Sequence, residues 1–367
     1  MNTPLSYKNS GVNYNLLDPL KQLAQQKGKK TAQQLMLHNF CEVDASRGES
    51  AYVIDVGDHY LAFVQEGLGT KNLVADAMYK ITGKSYYDSI AKDTVAMIVN
   101  DLVTVGATPI TVLAYWATGS SEWFADQARN TDLVSGWAAA CEAAGASWGG
   151  GETPTLSGII NNDTIDLAGS AFGIIKSKEK LVLGDNLQVD DVIMVFESSG
   201  IHANGLTLAR KLAEQLPDGY VTKMPSGQMY GEALLAPTHI YAKLVGELLD
   251  HVDIHYMANI TGHGWRKLMR ATKPFTYRIN TLSPVPEVFA FIAEKGPVTD
   301  EEMYANFNMG AGFTLFLPRN DVEKVRTIAQ KHNIKAYEIG ALEAGEKKVI
   351  IDPKKIEYKA DSLRVKG

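Results

Sequence analysis

The sequence predicts an α/β (α+β) protein of two domains, and three observations carry that expectation. The chain has 367 residues, and at roughly 150 residues per domain that length favours two cores over one. Strand-like and helix-like runs alternate in both halves, which indicates mixed layers of sheet and helix. Between the halves, residues 177–191 are charged and punctuated by glycine, as a linker is. The domains are therefore expected at 1–176 and 177–367.

In chain order, the first fifteen residues are polar and read as a tail. Asp18-Pro19 reads as an N-cap and first-turn proline opening a short helix. Residues 51–56 and 60–65 form two apolar runs about a Gly57-Asp58 turn, the pattern of a hairpin. Helices follow at 72–82, 85–105 and 122–144, with strands at 110–115 and 164–175. Beyond the linker a strand is expected at 192–197. A helix follows at 204–216, with its apolar stripe at Leu206, Ala209, Leu212 and Ala213. A longer helix is expected at 233–249. Thr299 and Glu302 have capping-box spacing. A strand at 313–317, a helix at 321–332 and a strand at 336–342 complete the pattern.

Composition narrows the function. An apolar share of 45% with 21% charged residues is an ordinary globular balance and excludes long disorder. The net charge of −6 argues against a duplex nucleic-acid partner. Residues 102–121 are uncharged but carry Gly106, Pro109 and four threonines, so no membrane span is expected there. Residues 1–20 lack the apolar core of a secretory signal. Cys41 and Cys141 show no metal-ligand spacing and read as reduced thiols of a cytoplasmic protein.

Four clusters bear chemistry. Glu66-Gly67-Leu68-Gly69-Thr70-Lys71 lies between a strand and a helix. Its glycines, the helix N-terminus and Lys71 suit a phosphate, although a plain glycine-rich turn has the same composition. Asp93 and Asn100, with Asp101 beside them, punctuate an apolar helix at seven-residue spacing, nearly one face. If buried, they need partners, magnesium with a nucleotide or neighbouring backbone; otherwise they form a solvated polar stripe. Gly149, Gly150 and Gly151 precede Glu152 and Thr153, as either a close-approach turn or a flexible connection. Finally, Ser198–Gly205 runs from a strand end into a helix, with Ser199, His202 and Asn204 near the helix start. Its backbone suits an anion, and His202 is either a proton carrier or a structural residue.

These motifs, in this order, resemble the phosphoribosylformylglycinamidine cyclo-ligase (AIR synthase) family. The resemblance runs through residues 6–12, 67–71, 99–107, 150–153, 198–205, 234–241 and 307–312. It implies an N-terminal domain that pairs into a β-barrel in a homodimer, and a C-terminal α/β sandwich. It also implies ATP-dependent ring closure of formylglycinamidine ribonucleotide to aminoimidazole ribonucleotide, with ADP and phosphate released. ATP and Mg2+ would be required, and the partner would be a small phosphorylated substrate, with no nucleic acid and no membrane.

Carried over residue by residue, Lys71, Asp101 and His202 would be catalytic. Lys8, Gly67, Gly69, Thr70, Lys71, Asn100, Gly150, Gly151, Glu152 and Thr153 would bind ATP. Ser199, His202, Asn204 and Gly205 would face the substrate, and Glu66, Asp93 and Asp101 would hold the metal. The sequence departs from the family pattern at several places. Glu66 stands for Asp, residues 154–157 differ, Ala203 stands for Ser, Asn259 for His and His263 for Gly. Those departures leave open a related ATP-using enzyme with another small substrate, such as thiamine-phosphate kinase or selenophosphate synthetase. A non-catalytic nucleotide-binding homologue is the other alternative.

Overall fold

The computed structural model describes residues 14–363. The N-terminal half contains α1 (Tyr14–Lys29), β1 (Cys41–Glu42), β2 (Tyr52–Asp55), β3 (Tyr60–Gly67), α2 (Lys71–Thr82) and α3 (Tyr87–Val103). It continues with β4 (Thr108–Thr118), α4 (Gln127–Ala144), β5 (Ser147–Glu152) and β6 (Ile165–Ile175). The second half begins with β7 (Val192–Glu197), α5 (Leu206–Gln215), α6 (Tyr230–Leu234), α7 (Ala242–His251), β8 (Tyr256–Asn259) and β9 (Phe275–Ile279). It ends with α8 (Glu287–Lys295), α9 (Asp300–Asn306), β10 (Ala311–Leu317), α10 (Val322–Lys331), β11 (Ala336–Ala344), β12 (Lys348–Ile351) and β13 (Ile356–Lys359).

Each half builds one sheet. The first has the order β1-β2-β3-β6-β4-β5, the second β13-β12-β9-β11-β7-β10-β8. In the first sheet, period-two alternation sends one set of side chains under α3, among them Ala62, Val64, Val112 and Ala171. The opposite set, including Phe63 and Leu113, stays exposed. The apolar length of α3 explains its place: Ile90, Val95, Ile98, Val99 and Leu102 are all fully buried. In the second sheet, β7 and β10 run antiparallel as neighbouring inner strands. Their near-continuous apolar sequences match burial on both faces.

Several expectations need correction. Asp18 does not cap a helix: α1 runs through Pro19, and Asp18 instead reaches toward His263 at 4.0 Å. The helix expected at 122–144 starts later, because Asp126 caps α4 by accepting the Arg129 N–H at 3.1 Å. The helix expected at 233–249 is broken into α6 and α7. Pro237 cannot continue a helix, and the backbone of 236–241 is engaged by the N-terminal half.

The triple glycine is neither a turn nor a flexible connection. It forms β5, an edge strand parallel to β4, with a register irregularity between Val112 and Ala114. A Cβ on Gly151 would lie 2.3 Å from the Ala114 carbonyl oxygen, so bare backbone is what lets this strand close on its neighbour. The 51–65 hairpin is present, with Asp55 opposite Tyr60. Thr299 caps α9 by accepting the Glu302 N–H at 3.2 Å.

Candidate active site

The main cavity, about 690 Å³, opens between the two halves under α1. Its floor comes from the end of β3 and the start of α2, through Glu66, Gly67, Leu68, Gly69 and Thr70. Asp101 and Met97 reach it from α3, and Ala203, Asn204 and Gly205 from the turn before α5. The N-termini of α2 and α5 therefore border the same space, where free backbone N–H groups and helix dipoles favour an anion. Gly205 is required at its turn. Its φ is +82°, and a Cβ there would sit 2.1 Å from the Phe307 ring.

Three carboxyls line this cavity: Glu66, Asp101 and Glu49, the last ion-paired to Arg270 at 3.5 Å. Burial, with the Asp101 charge next, pushes the Glu66 carboxyl up to about 8. Asp101 is positioned by Asn259 at the end of β8, whose Nδ2 donates to Asp101 Oδ1 at 2.7 Å. Asn204 Oδ1 accepts the Gly262 N–H at 3.0 Å, which fixes the turn facing the carboxyls. Across from them stands a basic wall that sequence reasoning missed: Lys21, Lys267 and Arg270. Lys267 is buried and donates to Thr261 Oγ1. Burial brings its ammonium down to about 8. Arg270 is tied to Ser50 Oγ and the Gly48 carbonyl at 3.0 and 2.8 Å. The run Arg266-Lys267-Leu268-Met269-Arg270 directly after a glycine-rich turn was the signal available in the sequence.

Magnesium takes oxygen ligands, commonly one or two carboxylates plus substrate phosphates. The Glu66–Asp101 pair fits that donor set. Among the described residues no group of three or more His, Cys, Asp or Glu side chains is gathered for a metal. Asp93, expected as a third ligand, does not line this cavity. It is fully buried, with Oδ2 ion-paired to Lys71 Nζ at 2.7 Å. Its Oδ1 accepts from both the N–H and the hydroxyl of Thr238, at 2.7 and 2.5 Å.

Lys71, expected at the phosphates, does not line the cavity either. Its ammonium donates to the Ala236 carbonyl at 2.8 Å and is wholly buried, and burial lowers its proton affinity despite Asp93. Asn100 completes the clasp, donating to the His239 carbonyl at 2.8 Å and accepting the Tyr241 N–H at 2.9 Å. Three residues expected at ATP or metal thus hold the 236–241 segment, and with it the second half, against α2 and α3.

Ser199 and His202 also lie off the cavity lining. Ser199 Oγ donates to the Pro237 carbonyl at 2.6 Å, and His202 Nε2 accepts the Ser199 N–H at 3.3 Å. Burial, reinforced by His239 and Lys71, holds His202 well below the usual imidazole range. His202, expected to be catalytic, is buried and does not line the cavity. Gly150, Gly151, Glu152 and Thr153 lie on the far edge of the first sheet and do not join Glu66 and Asp101 within one chain. Lys8 lies outside the described residues.

Comparison with known proteins adds the family. The model described as AIR synthase related protein, N-terminal domain, matches residues 48–175, and that of the C-terminal domain matches 188–353. The phosphoribosylformylglycinamidine cyclo-ligase of Methanococcus maripaludis is 37% identical over 81% of this chain and 82% of its own length. That of Pyrococcus horikoshii is 38% identical over 85% and 86%. Thiamine monophosphate kinase from Aquifex aeolicus shares the fold, with a TM-score of 0.55 at 17% identity, covering 82% of this chain and 90% of that one. The match to a T. maritima PurL structure complexed with AMPPCP has a TM-score of 0.54 at 12% identity, over 86% of this chain and 46% of that one. With both domain models matched in order and cyclo-ligases similar over four-fifths of its length, the chain belongs to the AIR synthase family.

Proposed function

We propose that this protein closes the imidazole ring of aminoimidazole ribonucleotide, using ATP to activate the amide oxygen of formylglycinamidine ribonucleotide. An amide oxygen is a poor leaving group. Phosphorylated, it departs as phosphate when the amine of the same molecule attacks the carbon. The observation that carries the reading is the cavity where two helix N-termini, the Glu66–Asp101 pair and a basic wall meet, in a chain similar to cyclo-ligases over most of its length. Structures sharing the fold are described as complexed with AMPPCP and with ADP, which supports ATP as the phosphoryl donor.

In this reading Gly67, Gly69 and Thr70 present backbone to the polyphosphate, and Ala203, Asn204 and Gly205 face the substrate. Glu66 and Asp101 would hold Mg2+, which when bound neutralises charge on the phosphates. Lys71, Asp93 and Asn100 act through position, by fixing the angle between the two halves. The chain's own contribution is orientation and charge stabilisation.

We further propose that the protein works as a homodimer. Phe63 and Leu113 are exposed on the open face of the first sheet, and Phe63 packs against Phe172 with ring centroids 5.4 Å apart. The hollow there, about 480 Å³, is lined mainly by apolar atoms of β3, β4 and β6. A second copy laid on this face would bury it. No helix among the described residues is long and apolar enough to cross a membrane.

The test is ADP release by the purified full-length protein with formylglycinamidine ribonucleotide, ATP and Mg2+, and identification of the ring-closed product. ADP formation that needs that substrate supports the reading. A folded, ATP-binding protein that never closes the ring rejects it. ADP release with a different acceptor would favour the superfamily alternative suggested by residues 154–157.

A further inference from the structure

Lys267 is the unexpected charge of this cavity. It lies in the turn Gly264–Met269 after β8 and is 6% exposed. Asn259 donates to Asp101, and Lys267, anchored on Thr261 Oγ1, lines the same cavity as Glu66 and Asp101. Asp101 and Glu66 are the carboxyls that share this cavity with it. Arg270 and Lys21, the neighbouring cations, add to the same field. Arg270 is committed to the backbone and side chain of residues 48–50, and Lys21 is half-exposed. Lys267 is therefore the one of these three cations that is fully enclosed in the cavity without an acidic partner bonded to it.

A fixed cation enclosed beside two carboxylates changes what they accept. A divalent ion entering between Glu66 and Asp101 meets like-charge repulsion in a partly water-excluded site, where screening is weak. A polyphosphate arriving with the metal reverses that balance, because its several negative charges offset both cations. We propose that Lys267 is a positioning residue for the metal: it keeps Glu66 and Asp101 from taking up a divalent cation alone and makes metal uptake conditional on the bound nucleotide. The inference rests on the reading of this cavity as the metal and nucleotide site, and it adds an order to their binding.

The experiment titrates Mn2+ into the full-length protein, followed by electron paramagnetic resonance of the free ion, with and without AMPPCP. The natural protein is expected to bind Mn2+ weakly alone and far more tightly with AMPPCP. Lys267→Met, similar in length and uncharged, is expected to bind Mn2+ alone at least ~10-fold more tightly. The advantage conferred by nucleotide should shrink by the same factor. Lys267→Arg, which keeps the charge, should restore the dependence on nucleotide. Lys267→Gln serves as a second neutral variant should Lys267→Met fail to fold, as judged by circular dichroism.

Equal Mn2+ affinity in natural and neutral variants overturns the proposal and leaves Lys267 a structural partner of Thr261. Micromolar Mn2+ binding by the natural protein without nucleotide overturns it as well, independently of any variant. No substrate enters this titration, so a failure of ring closure leaves the inference standing. Absence of both Mn2+ and AMPPCP binding in all forms overturns the reading of the cavity and the inference together.

Discussion

Removing the Lys71 ammonium separates two accounts of this residue. In the structure Lys71 and Asp93 are a wholly buried pair at 2.7 Å, and Lys71 also satisfies the Ala236 carbonyl. Lys71→Met would leave the Asp93 carboxylate enclosed without its cation. Breaking a buried pair on one side costs about 3–5 kcal/mol. For domains of this size that corresponds to a fall in melting temperature of roughly 6–20 °C. Burial already pushes the Asp93 carboxyl up and the Lys71 ammonium down, so the loss comes from stranding a charge rather than from losing a strong attraction. Lys71→Met combined with Asp93→Asn removes both charges and keeps an oxygen to accept from the Thr238 N–H and hydroxyl. The double variant should regain most of the lost stability, a coupling measurable by differential scanning calorimetry of all four proteins. AMPPCP affinity, measured on whatever fraction is folded, should change little. A Lys71→Met protein that melts within about 1 kcal/mol of the natural one but no longer binds AMPPCP would refute the reasoning and return Lys71 to the phosphates.

Three further outcomes follow from the same geometry. Glu66 is raised from 4.5 to about 8 in the folded protein, so the native state holds an extra proton between those values. Its contribution to stability is present below the lower value and is lost as pH rises through about 8. Lys267 is lowered from 10.5 to about 8, so the unfolded state holds the extra proton above 8 and stability recovers toward 10.5. Melting temperature of the metal-free protein should therefore dip near pH 8, and Glu66→Gln should remove the falling limb; a flat profile in the natural protein contradicts it. Gly205→Ala, forced to φ +82° with its Cβ 2.1 Å from the Phe307 ring, should cost at least ~2 kcal/mol in thermal melts. Retained stability would show that the turn before α5 can move. Phe63→Glu on the open sheet face should convert a dimer into monomers in sedimentation velocity, and an unchanged dimer would place the interface elsewhere.

How much was legible depended on whether a residue's neighbours were near in sequence. Hairpin and capping signals are local, and the 51–65 hairpin and the Thr299 cap form where they were read. The glycine motif at 67–70 and Asp101 reach the same cavity, because a strand end, a helix start and an adjacent helix can hardly avoid meeting. The partners of Lys71, Asp93 and Asn100 were hidden for one reason: each bonds to the 236–241 segment, 139 to 165 residues away. No periodicity reveals such a partner. The same contact explains why the helix expected at 233–249 is interrupted. Gly149–Gly151 looked like a turn because three glycines weaken any strand. Only the approach of Ala114 shows what they permit. Lys267 escaped notice because a basic run usually marks a solvated surface, and this one is folded inward by the turn at 264–269.

The central claim is that metal and nucleotide meet at Glu66 and Asp101. Crystals of the full-length protein grown with Mn2+ and AMPPCP test it most directly, because Mn2+ scatters anomalously and is located without ambiguity. The expected result is a peak bound by the Glu66 and Asp101 carboxylates and by phosphate oxygens, with Asp93 still paired to Lys71. A peak at Asp93, or a triphosphate seated away from the turn at 67–70, would contradict the account.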